Sequence, residues 1–247
     1  MTKLSVNLNK VALLRNQRDL DLPSVVHAAE VCIAAGADGI TVHPRPDERH
    51  IRRTDVYDLA GAIDVELNIE GNPFAGFLEL VRDVHPAQCT LVPDDPDQRT
   101  SDHGWVLVRD GGSTADAKRL GPILSELSSI GIRTSLFMDP DCEQIDAAAA
   151  LGADRIELYT EPYARAFAGA GRDAALETYR RAGAHAASRG LGINAGHDLN
   201  LQNLPAFLAL PDVEVLEVSI GHALTADALF MGLDAAVRAY REIAARA

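Results

Sequence analysis

Residues 35–43 read AGADGITVH, and residues 151–159 read LGADRIELY. In each stretch an amphipathic segment ends at a glycine, an Ala-Asp pair follows, and a short apolar run begins. Glycine is typical of a helix C-terminus, and short runs containing β-branched and aromatic residues are typical of strands. The same helix-to-strand unit is therefore used at least twice in the sequence.

The unit recurs along the rest of the chain. We predict eight strands, at residues 4–8, 39–43, 65–70, 88–92, 132–138, 154–159, 191–194 and 214–220. Between and after them we predict eight amphipathic helices, at residues 24–35, 54–63, 73–84, 115–130, 141–151, 172–189, 200–209 and 224–246. Strict alternation favours a parallel sheet, and eight units close a (β/α)8 TIM barrel. We therefore predict one barrel domain over residues 1–247.

The competing architecture is an open, doubly wound parallel sheet. Such a sheet normally carries a glycine-rich dinucleotide loop after its first strand. At that position the chain reads Asn7-Leu8-Asn9-Lys10, and neither GxGxxG nor GxxxxGK[ST] occurs anywhere. The sequence therefore favours the barrel and predicts no dinucleotide cofactor.

Composition narrows the class of ligand. The formal charge of −13 argues against nucleic acid and anionic membranes as partners. Residues 1–53 differ from the rest of the chain, because they contain eight Lys and Arg residues and only six Asp and Glu residues. This local positive charge suggests small anionic ligands if the basic side chains lie close together in space. No signal peptide or membrane-spanning run is apparent, and the three scattered cysteines, Cys32, Cys89 and Cys142, fit buried, reduced thiols. We therefore expect a cytoplasmic protein.

Polar residues gather at the ends of the predicted strands, where barrel enzymes place their active sites. They follow seven of the eight strands: Asn7, Asn9, Lys10, His43, Arg45, Asn68, Glu70, Asp139, Glu157, Tyr159, Thr160, Asn194, His197, Ser219 and His222. Three histidines, two glutamates and an arginine at one end of a barrel indicate acid–base chemistry on a polar ligand.

Four of these residues are predicted to be catalytic. Burying the Glu70 carboxyl group at the mouth of a barrel would cost free energy without a partner, which favours a functional role. His197 lacks the apolar neighbours that a histidine of the core would have. His43 ends an apolar strand, and Glu157 has a salt bridge inside the barrel as its alternative role. The remaining histidines that lie on helices or at their ends are predicted to be structural or solvated: His27, His85 and His185.

Two Gly-His pairs, Gly196-His197 and Gly221-His222, follow the last two strands. Barrels often hold a phosphate in the loops after strands seven and eight, where backbone N–H groups converge at a helix N-terminus. A glycine lets the backbone approach the anion closely. These pairs therefore predict a phosphate site.

No metal is predicted. Zinc hydrolases on this barrel usually show His-x-His on strand one, where this chain has Asn, Asn and Lys. His43, His197 and His222 could still converge on an ion, but no close-spaced pair of ligands supports such a site.

The motifs resemble those of the pyridoxine 5-phosphate synthase family, in order across nearly the whole chain. They are Asn7-x-Asn9-Lys10, Leu14-Arg15-Asn16-x-Arg18, residues 35–45, Arg49-His50-Ile51, Asn68-Ile69-Glu70, Leu91-Val92-Pro93, Ser135-Leu136-Phe137, Ile156-Glu157, Asn194-Ala195-Gly196-His197 and Ile220-Gly221-His222-Ala223. The resemblance implies a metal-free, cofactor-free barrel enzyme. Such an enzyme joins 1-deoxy-D-xylulose 5-phosphate to 3-amino-2-oxopropyl phosphate and releases pyridoxine 5-phosphate, inorganic phosphate and water. It also implies a homo-octamer.

The resemblance assigns roles by position. His43 and Glu70 match the family's proton acceptors, His197 its proton donor, and Glu157 a carboxylate that stabilises the transition state. The family's contacts to the amino ketone phosphate correspond to four positions in this sequence: Asn7, Arg18, Gly221 and His222. Contacts to the deoxyxylulose phosphate match Arg45, His50 and Thr100.

The chain departs from the family pattern at two places. The family often has Asp-His where this chain has Asn9-Lys10, a pair that touches the sugar phosphate, and Asp198 stands where glycine often follows the catalytic histidine. Lysine holds an anion as a point charge but does not relay protons as histidine does. Asn9, Lys10 and Asp198 are therefore predicted substrate contacts whose details differ from the family's.

The long connection at residues 93–114 predicts a lid over the sugar phosphate, since loops of this size are uncommon without a function. Thr100 is expected to meet the ligand, with His103 and Trp105 nearby and Gly111-Gly112 as a flexible point. Proteolysis near Arg99 and Arg109 would then slow with ligand bound. The alternative is an acidic surface loop that does not contact a ligand.

Two other functions stay open on the sequence alone. An aldolase or epimerase of another sugar phosphate would also use a barrel, although a Schiff-base aldolase needs a lysine buried within a strand, and Lys10 lies at a strand end. A non-catalytic phosphate-binding barrel would leave the histidines and glutamates unexplained.

Overall fold

The computed structural model describes residues 1–95, 98 and 100–246. Eight of its strands form a closed, all-parallel barrel in the order β1-β10-β9-β8-β7-β4-β3-β2, with β1 also paired to β2. They are β1 Lys3–Asn7, β2 Gly39–Val42, β3 Glu66–Gly71, β4 Gln88–Leu91, β7 Arg133–Met138, β8 Arg155–Tyr159, β9 Gly192–Gly196 and β10 Val215–Ile220. The predicted TIM barrel is confirmed. A small hairpin, β5 Val108–Arg109 and β6 Gly112–Ser113, lies outside it.

Helices alternate with these strands. They are α1 Asn9–Arg15, α2 Val25–Ala34, α3 Arg53–Ala62, α4 Ala75–Val84, α5 Ala115–Ser129, α6 Cys142–Ala150, α7 Glu161–Ala166, α8 Arg172–Ser188, α9 Leu204–Leu208, α10 His222–Met231 and α11 Leu233–Ala245. No helix in the described part of the chain is long and apolar enough to cross a membrane.

Two helix predictions need correction, and two further helices were not predicted. The helix predicted at residues 224–246 is two helices, because Gly232 adopts φ 83°, ψ 151° between them. The short helices α1 and α7, of seven and six residues, were not predicted. The predicted helix at 200–209 is only Leu204–Leu208, since Asn200 and Asn203 make side-chain turns before it.

The apolar core lies between the strands and the surrounding helices, and includes Leu4, Ile40, Ile69 and Leu136. Cys32 and Cys89 are buried as predicted, whereas Cys142, the first residue of α6, is only half-buried.

The interior of the barrel is polar. Gln88 on β4 donates a hydrogen bond to Glu217 on β10 (3.2 Å), although these strands are not neighbours, so both side chains cross the barrel lumen. Asn194 on β9 donates to both Gln88 (3.3 Å) and Glu217 (3.4 Å). Its side-chain oxygen accepts a hydrogen bond from Arg155 (3.0 Å). Buried polar groups are stable only when paired, and these four side chains pair with one another.

The predicted lid is largely fastened to the barrel. Trp105 is buried, and its indole N–H donates to the carbonyl of Leu91 (2.8 Å). A Cβ at Gly104 would lie 2.1 Å from the backbone nitrogen of Asp139, so this segment packs directly on the end of β7. Trp105, which was expected near the ligand, belongs to the apolar core, and residues 104–114 are expected to stay in place. Arg99, one predicted cleavage point, lies outside the described residues.

Candidate active site

A cavity of 520 Å³ opens at the carboxyl ends of the strands. It is lined by the side chains and backbone of Asn7, Asn9, Lys10, His43, Arg45, His50, Glu70, Thr100, Ser101, Asp102, Glu157, Tyr159, Glu161, Arg165, His197, Asp198, Ser219, Ile220, Gly221, His222 and Ala223. All four predicted catalytic residues and all but one of the predicted substrate contacts are among them. The structure thus brings together residues separated by more than 200 positions in the sequence.

Arg18 is the exception. Its side chain is exposed in the turn that follows α1, and it does not line the cavity. The helix ends at Arg15, and residues 16–18 form a turn in which Arg18 is exposed. The predicted contact of Arg18 with substrate has no support in the geometry of this chain.

Two asparagines organise the first wall of the cavity. The side-chain oxygen of Asn9 accepts a hydrogen bond from the backbone N–H of His43 (2.9 Å), and that of Asn7 accepts one from the backbone N–H of Asn9 (3.0 Å). The amide nitrogen of Asn7 donates to Glu70 (3.3 Å). Asn9 therefore fixes the strand end that carries His43, in addition to lining the cavity.

Two buried carboxyl groups, Glu70 and Glu157, form the floor. Burial, followed by the negative charges of Asp94 and Glu217, raises the pKa of Glu70 to about 8, although Arg45 opposes the shift. Burial and the charges of Glu70 and Glu217 also hold the pKa of Glu157 well above its usual value. Such carboxyl groups carry protons near neutral pH and can donate them.

Glu157 has little room and few partners. Its Oε2 is buried without a hydrogen-bond partner among the described residues. A Cβ at position 196 would lie 2.2 Å from Glu157 Oε1. Gly196 therefore makes space for this carboxyl group. The sequence had suggested a different role for this glycine, which was to let the backbone approach a bound anion.

Three of the four histidines that line the cavity favour their neutral forms. Burial and the charge of Arg45 lower the pKa of His43 well below its ordinary value. Burial, with Arg45 and Lys10, lowers the pKa of His50 to about 4. Burial, with Lys10 and Arg45, lowers that of His197 to about 4. Neutral imidazoles at pH 7 can accept protons.

Arg45 is held by residues that the sequence analysis missed. Its guanidinium pairs with the buried carboxylate of Asp94 and donates to the carbonyl of Gln98 (2.8 Å). Ser101 donates to the same Asp94 oxygen (2.8 Å). Burial raises the pKa of Asp94, while the Ser101 hydrogen bond and the Arg45 charge act to lower it. Asp94 is 49 positions from Arg45, and no local pattern signals the pair.

A helix N-terminus faces the cavity on the opposite side. Gly221 is the N-cap of α10, and His222 is its first residue. A Cβ at Gly221 would lie 3.1 Å from the side chain of Asn7, so this turn packs closely on the end of β1. With Lys10 at the same cavity, the unpaired N–H groups of the helix form an anion-binding environment.

Other lining residues were also missed. Glu161 and Arg165 form an ion pair on α7, and Asp102 pairs with His103 beside the cavity. Tyr159 also lines the cavity, and it was among the strand-end residues that the sequence singled out without a role. Within residues 1–95, 98 and 100–246, no three His, Cys, Asp or Glu side chains are grouped so as to hold a metal ion.

The profile of the family described as "Pyridoxal phosphate biosynthesis protein PdxJ" matches residues 4–246. The chain belongs to this family. It is therefore an enzyme of pyridoxal phosphate biosynthesis that acts on phosphorylated small molecules, as the motifs predicted.

Curated relatives agree over their whole length. A protein from Porphyromonas gingivalis named pyridoxine 5'-phosphate synthase is 53% identical over 245 residues, which cover 98% of each chain. One of the same name from Xanthomonas campestris is 54% identical over 255 residues, covering 99% of this chain and 96% of the relative. The relative from Bacteroides thetaiotaomicron is 53% identical over 242 residues and 98% of each chain.

Solved structures support the fold alone. A 3-keto-L-gulonate-6-phosphate decarboxylase from Vibrio cholerae superposes with a TM-score of 0.62 at 12% identity, over 99% of this chain and 98% of the other. Monomers of phosphoribosylanthranilate isomerase from Thermotoga maritima give a TM-score of 0.61 at 13% identity over 100% of both chains.

Proposed function

We propose that the PdxJ-family chain condenses 1-deoxy-D-xylulose 5-phosphate with 3-amino-2-oxopropyl phosphate to form pyridoxine 5-phosphate, inorganic phosphate and water. The observation that carries this proposal is the convergence of two proton-bearing carboxyl groups and three neutral histidines on a cavity that also holds an anion-binding helix N-terminus. Imine formation, loss of water and ring closure need repeated proton transfers near neutral pH. Groups tuned in this way supply about 10² to 10⁴ in rate each.

Two anion sites accommodate the two phosphates in this proposal. The N-terminus of α10 at Gly221 and His222, together with Asn7, holds the amino ketone phosphate. Arg45 and His50, with Thr100 at the cavity rim, hold the deoxyxylulose phosphate. Lys10, which stands where the family often has histidine, adds a point charge at this cavity.

His43 and Glu70 act as proton acceptors. His43 is neutral and fixed through its backbone by Asn9, so it can receive a proton without first losing one. Glu70, with a pKa of about 8, is mostly protonated near pH 7, so it accepts a proton only after it has passed its own to the substrate or in the fraction of molecules where it is ionised.

His197 acts as proton donor once substrate is bound. In the free protein burial, followed by the charges of Lys10 and Arg45, disfavours its imidazolium form. A phosphate group beside these cations offsets their charge, so substrate binding favours the imidazolium form of His197 relative to the free protein. Glu157 remains protonated and donates a hydrogen bond to negative charge that develops in the transition state.

The test is incubation of metal-stripped protein with both ketones, read by mass spectrometry for pyridoxine 5-phosphate. We expect product in the presence of a chelator. Failure with chelator and rescue by zinc would overturn the metal-free mechanism. Borohydride reduction in the presence of either ketone distinguishes an aldolase, because a covalent adduct on Lys10 would indicate a lysine Schiff base instead.

The oligomer and the compartment belong to the same proposal. The family resemblance implies a homo-octamer in the cytoplasm. Large apolar side chains exposed on the chain support self-association: Leu14, Leu20, Leu22, Leu229 and Phe230. Phe230 is 92% exposed. Light scattering of the purified protein should give eight times the chain mass of 26.4 kDa. A monomer at working concentration would contradict the assembly without affecting the reaction.

A further inference from the structure

The backbone at the end of β9 is strained. His197 has φ 72° and Asp198 has φ 58°, so two consecutive residues other than glycine lie in the left-handed region. This conformation costs free energy for residues with a Cβ, and it persists only where the surroundings hold it. The strain falls on the residue proposed as the proton donor.

Thr160 holds this bend. Its backbone N–H donates to the carbonyl of Gly196 (3.1 Å), which extends the pairing of β8 with β9 by one residue. Its hydroxyl lies within hydrogen-bond distance of two carbonyl oxygens, that of Gly196 (2.8 Å) and that of His197. A single hydroxyl proton shared between these oxygens ties the last strand residue to the first strained one.

The rest of the bend is held from other directions. Asn203 donates to the carbonyl of Asp198 (3.1 Å). The His197 ring packs against Phe137, with 4.9 Å between ring centroids, and against Tyr159, with 5.7 Å. Thr160 is the member of this set whose side chain bonds to the His197 backbone itself, so it determines the direction in which the ring leaves the strand.

Thr160 does not meet the substrate. Its side chain is fully buried, and it is absent from the cavity lining, although its neighbours Tyr159 and Glu161 line the cavity. Its contribution to the reaction therefore passes through His197.

We infer that Thr160 is a positioning residue, whose hydroxyl holds His197 in the strained conformation that aims its imidazole at the substrate. The inference rests on the proposed role of His197 as proton donor. Loss of the hydroxyl removes the bond to the His197 carbonyl, so the bend relaxes and the ring turns away from the reacting atoms. A shift of about 1 Å in a catalytic group is enough to slow a reaction about 100-fold.

The test compares Thr160→Val with Thr160→Ser. Valine keeps the branched shape and removes the hydroxyl, whereas serine keeps the hydroxyl. For Thr160→Val we expect kcat to fall about 10- to 100-fold, with the KM of either substrate changed less than about threefold. The serine variant should restore kcat to within about threefold of wild type. Thr178→Val removes a comparable hydroxyl from exposed α8 and should leave kcat unchanged.

A second readout follows the ring itself. In the NMR spectrum of ¹⁵N-histidine-labelled protein, the His197 imidazole signals should move in Thr160→Val and stay near wild type in Thr160→Ser. Wild-type kcat and unmoved signals in Thr160→Val would overturn the inference. Equal losses of kcat in the valine and serine variants would do the same, because a lost hydroxyl would not explain them.

If Thr160→Val does not fold, Thr160→Cys replaces it, since a thiol is a weaker donor at the same position. We then expect kcat to lie below that of Thr160→Ser, and equal kcat values for the two variants would contradict the inference. His197→Ala separates the two proposals. If it keeps its turnover, the donor role of His197 is wrong, while the NMR signals still decide whether Thr160 orients the ring.

Discussion

Gly196 on β9 leaves open the volume that the carboxyl group of Glu157 on β8 occupies. The two residues lie on paired strands, where Gly196 is in register with Tyr159 and Glu157 with Asn194, and a Cβ at position 196 would lie 2.2 Å from Glu157 Oε1. The backbone fixes the position of an added Cβ, whereas the end of the Glu157 side chain can move, so the smallest enlargement at position 196 displaces the proposed catalytic carboxyl group.

Gly196→Ala is therefore expected to push the Glu157 carboxyl group out of place and to lower kcat at least about 10-fold. Substrate affinity should change less, because the phosphate contacts lie elsewhere in the cavity. Steady-state kinetics with both ketones, alongside circular dichroism, measures the effect. The matched control is Gly61→Ala on α3, where an added Cβ meets no atom within 4 Å. Normal turnover in Gly196→Ala would show that Glu157 is not needed in its present position.

Glu70 should make the protein less stable as the pH rises. In an unfolded chain a glutamate ionises near pH 4.3, whereas Glu70 keeps its proton up to about pH 8. The folded state then binds more protons than the unfolded state, so the free energy of unfolding falls between these two pH values. Glu70→Gln should reduce that fall by on the order of 3 kcal/mol between pH 5 and pH 8.

Urea unfolding of both proteins at pH 5 and pH 8 tests this difference. Glu79→Gln, an exposed change on α4, should keep the wild-type dependence. An identical pH dependence in Glu70→Gln and wild type would mean that Glu70 is ionised in the folded protein. The same variant should lose at least about 100-fold in kcat if Glu70 is a proton acceptor.

His197→Ala should lower kcat at least about 100-fold while substrates still bind, because the phosphate contacts do not depend on the ring. Single-turnover kinetics with both ketones separates this loss from a binding defect. The control is His27→Ala on α2, which changes an exposed histidine that does not line the cavity. Near-normal turnover would refute the assignment of His197 as proton donor.

Gly221→Val should weaken binding of the amino ketone phosphate more than it slows turnover. The new side chain would begin 3.1 Å from Asn7 and would crowd the N-terminus of α10, where we place the phosphate. We expect Kd for that substrate to rise about 10-fold or more, measured by isothermal titration calorimetry. An unchanged Kd would show that the phosphate does not bind at this helix N-terminus.

The sequence predicted the barrel well because its signals are local. Each glycine that ends a helix and each apolar run that forms a strand can be recognised within a few residues. The same reasoning missed α1 and α7, since helices of seven and six residues show too few turns to reveal a periodicity. It also joined α10 to α11, because the backbone angles of Gly232 cannot be distinguished from those of a tolerated helical glycine in the sequence.

The residues of the site that lie at strand ends could be predicted from the sequence. His43, Glu70, Glu157 and His197 each stand at or just beyond one, and the topology brings all such ends together. Asp94 and Thr160 could not be given roles, because these depend on partners 49 and 37 positions away. Arg18 was assigned by resemblance to a motif, and in this chain it is exposed in the turn after α1 and does not line the cavity.

The hydrogen bonds across the barrel lumen constrain how this sequence can change over evolutionary time. Gln88, Asn194 and Glu217 each satisfy the others from different strands, so an apolar replacement of one leaves donors or acceptors of the other two without partners. Such losses cost about 1–3 kcal/mol each, whereas replacing all partners together can be nearly neutral. Substitutions here are therefore expected to be strongly non-additive. Related barrels should differ at these positions as sets and seldom at one position alone.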